Sequence, residues 1–224
     1  MSRRALDLLF ASGAAAIAVL MVVLGFVLAD QASFAEDYVK EQLGEQKITF
    51  ATAEDLKKDE ENPANAEYKK ITQWKEGSSC LNEYAGKAMT TGKMAECYGN
   101  YYIGMHMART AALTKVDGQN MGWEGQTYAT LGTVRTDLSA KIAAAKTANN
   151  TEEAAKLQKQ LDAATSLRST MQTGETLRGL LLTSYGFSIF GDKAALASTV
   201  CYLGAVVLVI IAAGGFVHAA MTRK

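Results

Sequence analysis

Only two histidines are available for catalytic or metal chemistry in this sequence. His106 lies between Met105 and Met107, so a histidine–methionine haem pair is conceivable there. Adjacent positions on a helix point in different directions, however, and neither methionine can join His106 at one iron. His218 lies in an apolar run near the other end of the chain, and a membrane core about 30 Å thick would separate it from His106. We therefore interpret His106 as a structural or surface residue.

The sequence also lacks the short motifs that carry common enzyme chemistry. It contains no CxxCH haem attachment, no GxxxxGK[ST] phosphate loop, no GxSxG nucleophile elbow and no HExxH zinc motif. The glycines between Gly118 and Gly125 lack the strand–loop–helix context of a phosphate site. We therefore expect no catalytic residue, no cofactor-binding residue and no metal ligand, and we predict that the protein is not an enzyme.

The architecture is decided by two apolar runs without a charge, residues 8–29 and residues 194–221. His218, in the second run, is taken as neutral. Each run is longer than the roughly 20 residues that a transmembrane helix needs. They predict a mainly α fold with five segments, which are a cytoplasmic N-terminus (1–7), a transmembrane helix (8–29), an extracytoplasmic helical domain (30–193), a second transmembrane helix (194–221) and a cytoplasmic C-terminus (222–224). Clusters of small residues in both runs favour close contact with other helices, which supports membership of a larger complex.

The basic residues next to the two runs predict the orientation. Arg3 and Arg4 precede the first run, and Arg223 and Lys224 follow the second. Lys and Arg beside a span stay in the cytoplasm, so both termini are predicted inside the plasma membrane and the central domain outside. A cleaved signal peptide is the alternative for the N-terminus. Its apolar core is normally 7–15 residues, so the longer run 8–29 favours an anchor.

Two of the three cysteines, Cys80 and Cys97, lie in the predicted extracytoplasmic domain. Cysteines that share an exported domain usually pair, and we predict a Cys80–Cys97 disulfide. Closing a loop of this length would stabilise the domain by about 3 kcal/mol in the chain-entropy model. Two free buried thiols are the alternative. Cys201, in the second apolar run, has no partner on the same side of the membrane.

Periodicity and capping signals predict helices throughout the central domain. The first span is expected to continue as a helix through residues 31–43 and to end at Gly44, and a capping box at Thr52 opens a short helix that Pro63 terminates. An amphipathic helix is predicted over residues 93–113. Two further helices, residues 127–148 and 151–173, are predicted to form an α-hairpin with a narrow, Ala-rich seam.

An unusually apolar stretch, residues 176–191, directly precedes the second apolar run. A stretch of this kind must be covered by lipid headgroups, by its own domain or by another protein. We predict that it forms, with the second span, the docking surface for a partner, whose main residues are Leu177, Leu181, Tyr185, Phe187 and Phe190. The other two coverings remain open as alternatives.

Several segments resemble two-span membrane proteins of actinobacteria that have no established activity. The resemblance covers most of the chain in order and is carried by VKEQL (39–43), QKITF (46–50), YAGKAMTTG (84–92), residues 98–106, GQTYA (125–129) and GETLRGLLL (174–182). The charged, Ala-rich part at residues 131–170 is longer than in the family pattern. The resemblance implies a protein of the actinobacterial cell envelope. In size and topology the chain is also similar to accessory subunits of the respiratory supercomplex of cytochrome bcc and a terminal oxidase.

Some relatives in that group carry a ring-opening dioxygenase label, which the residues here contradict. Non-haem iron requires two histidines and a carboxylate on one face, whereas the two histidines of this chain are predicted on opposite sides of the membrane.

The sequence therefore favours a non-catalytic accessory or stabilising subunit of a larger membrane complex. Its predicted partners are integral membrane proteins and the lipid bilayer. Nucleic acid is not predicted as a partner, because residues 31–193 hold 19 Lys and Arg against 21 Asp and Glu. The alternative function is an independent envelope sensor or ligand-binding module whose extracytoplasmic domain takes a small molecule.

Overall fold

The computed structural model describes residues 2–62 and 73–221 and is mainly helical, as predicted. Pro63, Arg223 and Lys224 lie outside the described residues. In chain order the elements are helices α1 (Arg3–Glu45), α2 (Ala53–Glu61), α3 (Gln73–Glu83) and α4 (Gly92–Cys97), a π-helix (Tyr98–Ile103), helix α5 (Gly104–Leu113), strands β1 (Lys115–Val116) and β2 (Gln119–Asn120), and helices α6 (Tyr128–Thr147) and α7 (Thr151–Met221).

Among the described residues, two helices, α1 and α7, are long and apolar enough to cross a membrane. Helix α1 continues well past residue 29, as predicted. Helix α7 differs from the prediction, because it does not end near residue 173 but runs unbroken to Met221. No proline interrupts α7. Its glycines at 174 and 191 do not end the helix, and they pack closely against Met107 and Ala35 respectively.

The chain divides into two compact units, to which α1 and α7 both contribute. The first unit contains Met1–Gln42 and Gly186–Lys224, and the second contains Leu43–Tyr185.

In the first unit, small residues line the contact between α1 and α7. The buried positions on α7 recur at every seventh residue, and they are Gly191, Ser198, Ala205, Ala212 and Ala219. On α1 they include Ala11, Ala18, Gly25 and Ala35. A seven-residue repeat keeps one face of a helix against its neighbour, and small side chains let the two backbones approach closely.

Contacts along this seam set the register of the two helices. The Ser198 hydroxyl donates to the carbonyl oxygen of Gly25 at 2.8 Å. At one end of the apolar runs, Asp7 Oδ2 and His218 Nδ1 lie 2.9 Å apart. The two charge-free runs therefore lie side by side over their length, as two helices crossing one apolar layer would.

The outward faces of both apolar runs carry large exposed side chains. Only 17% of the most apolar part of α1 and 11% of that part of α7 are buried within the protein. Backbone polar groups are satisfied inside the helices, so these faces suit a hydrocarbon environment.

In the second unit, a short extended segment leads from α1 into the smaller helices. Thr49 forms a β-bridge with Ala88, and Thr52 caps α2 by accepting from the Asp55 backbone nitrogen at 3.2 Å. The cap at Thr52 confirms the predicted start of α2. The helix expected over residues 93–113 is helical throughout, but the π-helix (Tyr98–Ile103) separates α4 from α5.

Helix α6 and the first part of α7 are joined by three residues and share a core. A capping box of Thr127 and Thr130 opens α6, and the Asn150 side chain accepts from the Glu153 backbone at the start of α7. The Arg135 Nε donates to Thr165 Oγ1 at 2.9 Å. The buried core residues of the two helices are Leu131, Leu138, Ile142, Leu157, Ala164, Leu167 and Met171.

Candidate functional site

The five residues predicted to form the docking surface do not share one environment. Leu181 is buried, with 3% of its surface exposed. Its Cβ lies close to Gly99 of the π-helix, where an added Cβ would meet it at 3.5 Å. Leu181 therefore belongs to the core of the second unit, and its side chain is not available to a partner. This corrects the prediction that Leu181 is a docking residue. It is buried because Gly99, which has no side chain, leaves room for the leucine.

Two polar contacts hold the same part of α7 against the helices before it. Arg178 donates from Nη2 to Asn100 Oδ1 at 3.1 Å. Lys93 Nζ lies 5.3 Å from the centre of the Tyr185 ring, within the range of a cation–π contact. Arg178, which interrupts the apolar stretch, thus holds α7 against the π-helix. The Tyr185 ring is partly covered within its own unit.

Leu177 differs from Leu181 because it remains 48% exposed. It lies at one end of an open groove of about 390 Å³ between α7 and the π-helix–α5 segment, which is also lined by Ile103, Met107 and Gly174. The Met107 sulfur occupies the space where a side chain at Gly174 would lie. The lining of the groove is mixed, because His106, Ser169, Thr170 and Thr173 border it beside the apolar residues.

The remaining two predicted residues belong to the first unit and lie at the surface. Phe187 is 38% exposed and Phe190 is 75% exposed. Phe187 packs edge-on against Tyr38 of α1, with ring centres 5.7 Å apart, and against Phe34 at 6.5 Å. Phe34 and Tyr38 stack on each other at 5.8 Å. We call the three rings of Phe34, Tyr38 and Phe187 the aromatic cluster.

The predicted disulfide is present between Cys80 of α3 and Cys97, the last residue of α4, whose Cα atoms are 6.1 Å apart. It ties α3 to the residue that precedes the π-helix. Cys201 is free and half-buried in the first unit.

A row of stacked rings follows the π-helix into α5. Tyr98 stacks on Tyr102 with ring centres 4.5 Å apart, and Tyr102 stacks on His106 at 6.4 Å. Phe50 closes the buried end with an edge contact to Tyr98 at 5.3 Å. Burial, with a smaller contribution from Tyr102, raises the pKa of Tyr98 to about 12. His106 lies at the exposed end of the row.

His106 also borders a polar cleft of about 370 Å³ between α2 and α5. Arg109 crosses this cleft and donates to Asp59 Oδ1 at 3.2 Å. Among the described residues, no three His, Cys, Asp or Glu side chains are grouped so that they could hold a metal ion. The cleft can offer a small molecule the His106 imidazole and the paired charges of Arg109 and Asp59.

Sequence reasoning missed the α1 half of the aromatic cluster and the pairing of Asp7 with His218. Phe34 and Tyr38 lie four residues apart on the helix that continues from the first span, which is a signal for one shared face. The seven-residue spacing of small residues from position 191 to 219 could have predicted that α7 pairs with α1 along this line.

The chain matches no protein-family model, no curated protein and no solved structure. The resemblance to two-span actinobacterial proteins stays a prediction from the segments that carry it.

Proposed function

We propose that the protein is a non-catalytic accessory or stabilising subunit of a larger complex in the plasma membrane. In this proposal α1 and α7 span the bilayer, both termini are cytoplasmic, and the extracytoplasmic domain includes the α-hairpin of α6 and the first part of α7. The observation that carries the proposal is the exposed aromatic surface of the first unit, which continues beyond the charge-free runs on both helices.

That surface lies outside the hydrocarbon layer defined by the aligned runs. Asp30 and Lys193 mark the ends of the runs on α1 and α7. On a straight helix, Phe34 lies roughly 7 Å past residue 29, and Phe187 roughly 10 Å before residue 194. Large apolar rings at this level lie at or beyond the headgroups, and their exposure favours contact with another protein.

Two independent features support the orientation. Arg3 and Arg4 flank the first run, and basic flanks favour the cytoplasmic side. The Cys80–Cys97 disulfide lies between the two spans, and disulfides persist in oxidising compartments outside the cytoplasm. Both features support an extracytoplasmic location for residues 30–193.

The partner complex is proposed from the resemblance alone. Accessory subunits of the actinobacterial respiratory supercomplex of cytochrome bcc and a terminal oxidase have similar size and topology, which makes that supercomplex the first complex to test. Docking would use the second span together with the exposed members of the predicted surface, above all Phe187 and Phe190.

Purification in mild detergent tests the proposal. The wild-type protein should co-elute with integral membrane subunits in fixed proportion by mass spectrometry. Replacement of both exposed rings, Phe187→Ser with Phe190→Ser, should release these subunits while the protein stays in the membrane fraction. Tyr128→Ser, which removes an exposed ring from α6, is the matched control and should retain them. Wild-type yields of the same subunits with the double variant would show that this surface does not dock.

A small-molecule sensor or binding module is the second candidate, favoured by the polar cleft beside His106 and Arg109. Native mass spectrometry of the protein extracted from its own membranes should then show a bound small molecule, and His106→Ala should remove it. An unliganded mass under conditions that preserve membrane complexes would contradict this candidate.

A further inference from the structure

Aromatic and acidic residues share one exposed face of α1 just beyond the first apolar run. Asp30, Phe34, Asp37, Tyr38 and Glu41 are spaced at four, three, one and three residues, which places them along one side of the helix, and all five are exposed. The rings of Phe34 and Tyr38 join Phe187 of α7 in the aromatic cluster. We call this combined surface the acidic aromatic face.

Acidic residues outnumber basic ones on this segment of α1, because residues 30–45 contain five Asp and Glu and one Lys, Lys40. In the part of the chain that the structure describes, Asp37 and Glu41 form no ion pair, although several other exposed carboxylates do. The rings beside them remain 56% exposed at Phe34 and 47% exposed at Tyr38. Negative charge and exposed ring faces therefore occur together.

These features select the chemistry of the occupant. A lipid phosphate would be repelled by the carboxylates, and a second copy of the chain would bring the same negative charges to the contact. A Lys or Arg side chain is favoured by both the carboxylates and the rings, because it can pair with a carboxylate and can lie over an aromatic ring. The exposed apolar area of the rings favours an occupant that is partly apolar as well.

We propose that the acidic aromatic face binds a Lys- or Arg-bearing segment of a neighbouring integral membrane protein at the outer surface of the bilayer. This inference rests on the proposed function and adds the chemistry of the partner. Asp37 and Glu41 supply the charge, and the rings of Tyr38 and Phe187 supply the apolar contact.

Site-specific photocrosslinking in intact membranes tests the identity of the occupant. The full chain carries p-benzoylphenylalanine in place of Tyr38, and crosslinked peptides are sequenced by mass spectrometry. The expected product joins position 38 to a segment of another integral membrane protein that contains Lys or Arg within one helical turn of the crosslink. The same photoreactive residue in place of Phe26, an exposed ring inside the first apolar run, is the matched control and should not yield that peptide.

The charge requirement is tested in the same experiment by Asp37→Asn with Glu41→Gln. Loss of two exposed attractive charges should lower the yield of the crosslink about fivefold, whereas the control pair Glu152→Gln with Glu153→Gln on the second unit should leave it unchanged. Crosslinks to lipid only, to a second copy, or to a segment without Lys or Arg overturn the inference, as does a yield that the Asp37 and Glu41 variant does not change. If membrane subunits still co-purify in those cases, the proposed function stands and only the basic partner segment is wrong.

Discussion

The Ser198 hydroxyl donates a 2.8 Å hydrogen bond to the Gly25 carbonyl oxygen, and this contact joins residues 173 positions apart, near the end of the first apolar run and the start of the second. A glycine at 25 is needed here because an added Cβ would lie 2.9 Å from the ring of Tyr202. The contact fixes which residues of α1 and α7 lie opposite each other. It thereby aligns the ends of both charge-free runs.

Enlarging a seam residue should separate the two helices. An added Cβ at Gly215 would lie 3.0 Å from the Ala11 Cβ, whereas one at the neighbouring Gly214 meets nothing within 4 Å. We predict that Gly215→Leu lowers the thermal stability of the detergent-solubilised protein and that Gly214→Leu leaves it near the wild-type value, since overpacking typically costs about 1–3 kcal/mol. Thermal unfolding followed by circular dichroism checks this, and equal melting temperatures for the two variants would contradict the seam.

Removing the disulfide should destabilise the second unit. In the chain-entropy model, loss of a cross-link of this loop length costs about 3 kcal/mol. We therefore expect Cys80→Ser with Cys97→Ser to unfold at a lower urea concentration than the wild type. The control Cys201→Ala, which leaves the disulfide intact, should change the midpoint much less. Non-reducing peptide mapping of the wild-type protein should show Cys80 and Cys97 linked, and freely alkylated thiols in the unreduced protein would refute the pairing.

The parts of the fold that the sequence predicts well are those that depend on neighbouring residues. At the cap of α2 the Thr52 side chain accepts a local hydrogen bond from the backbone nitrogen three residues later, so the pattern is visible in the chain. The two apolar runs are equally local, because length and composition alone decide whether a helix can span a bilayer.

The parts that the sequence does not predict depend on contacts between distant residues. From the sequence alone, Leu181 is predicted to be an exposed apolar side chain. It is buried because it packs against Gly99, which is distant in the chain. The π-helix likewise interrupts a regular apolar pattern where Gly99 packs against α7. Of the aromatic cluster, the sequence therefore predicts a role for Phe187 only, because the contact of Phe34 and Tyr38 with this ring depends on the pairing of the two helices.

The orientation of the chain can be tested by cysteine labelling in intact cells. In a Cys201→Ala background, we predict that a membrane-impermeant maleimide labels Lys141→Cys on α6 and does not label Ser2→Cys before α1. The basic residues Arg3 and Arg4 are the physical reason, because they resist transfer across the membrane. Permeabilised cells are the control and should show labelling at both positions. Labelling at position 2 but not at 141 in intact cells would show that the orientation is the opposite of the predicted one.

Tyr98, which lies towards the buried end of the ring stack, should lose its proton at an unusually high pH. Burial and the neighbouring Tyr102 raise the pKa of Tyr98 to about 12 in the folded protein, against about 10 for an unfolded tyrosine. Between these two values the folded state binds more protons than the unfolded state, so the free energy of unfolding falls as pH rises above about 10 and levels off above about 12.

Absorbance at 295 nm after rapid mixing into alkaline buffer, before unfolding, measures this titration directly. We expect one ionisation step near pH 12 in the wild-type protein that disappears in Tyr98→Phe. Tyr128→Phe removes a tyrosine outside the stack and should leave that late step in place. Tyr102→Phe should shift the late step to lower pH, because the Tyr102 hydroxyl contributes to the raised pKa of Tyr98. An unchanged late step in Tyr98→Phe would show that another tyrosine carries it and that the Tyr98 ring is not held in the stack with Phe50 and Tyr102.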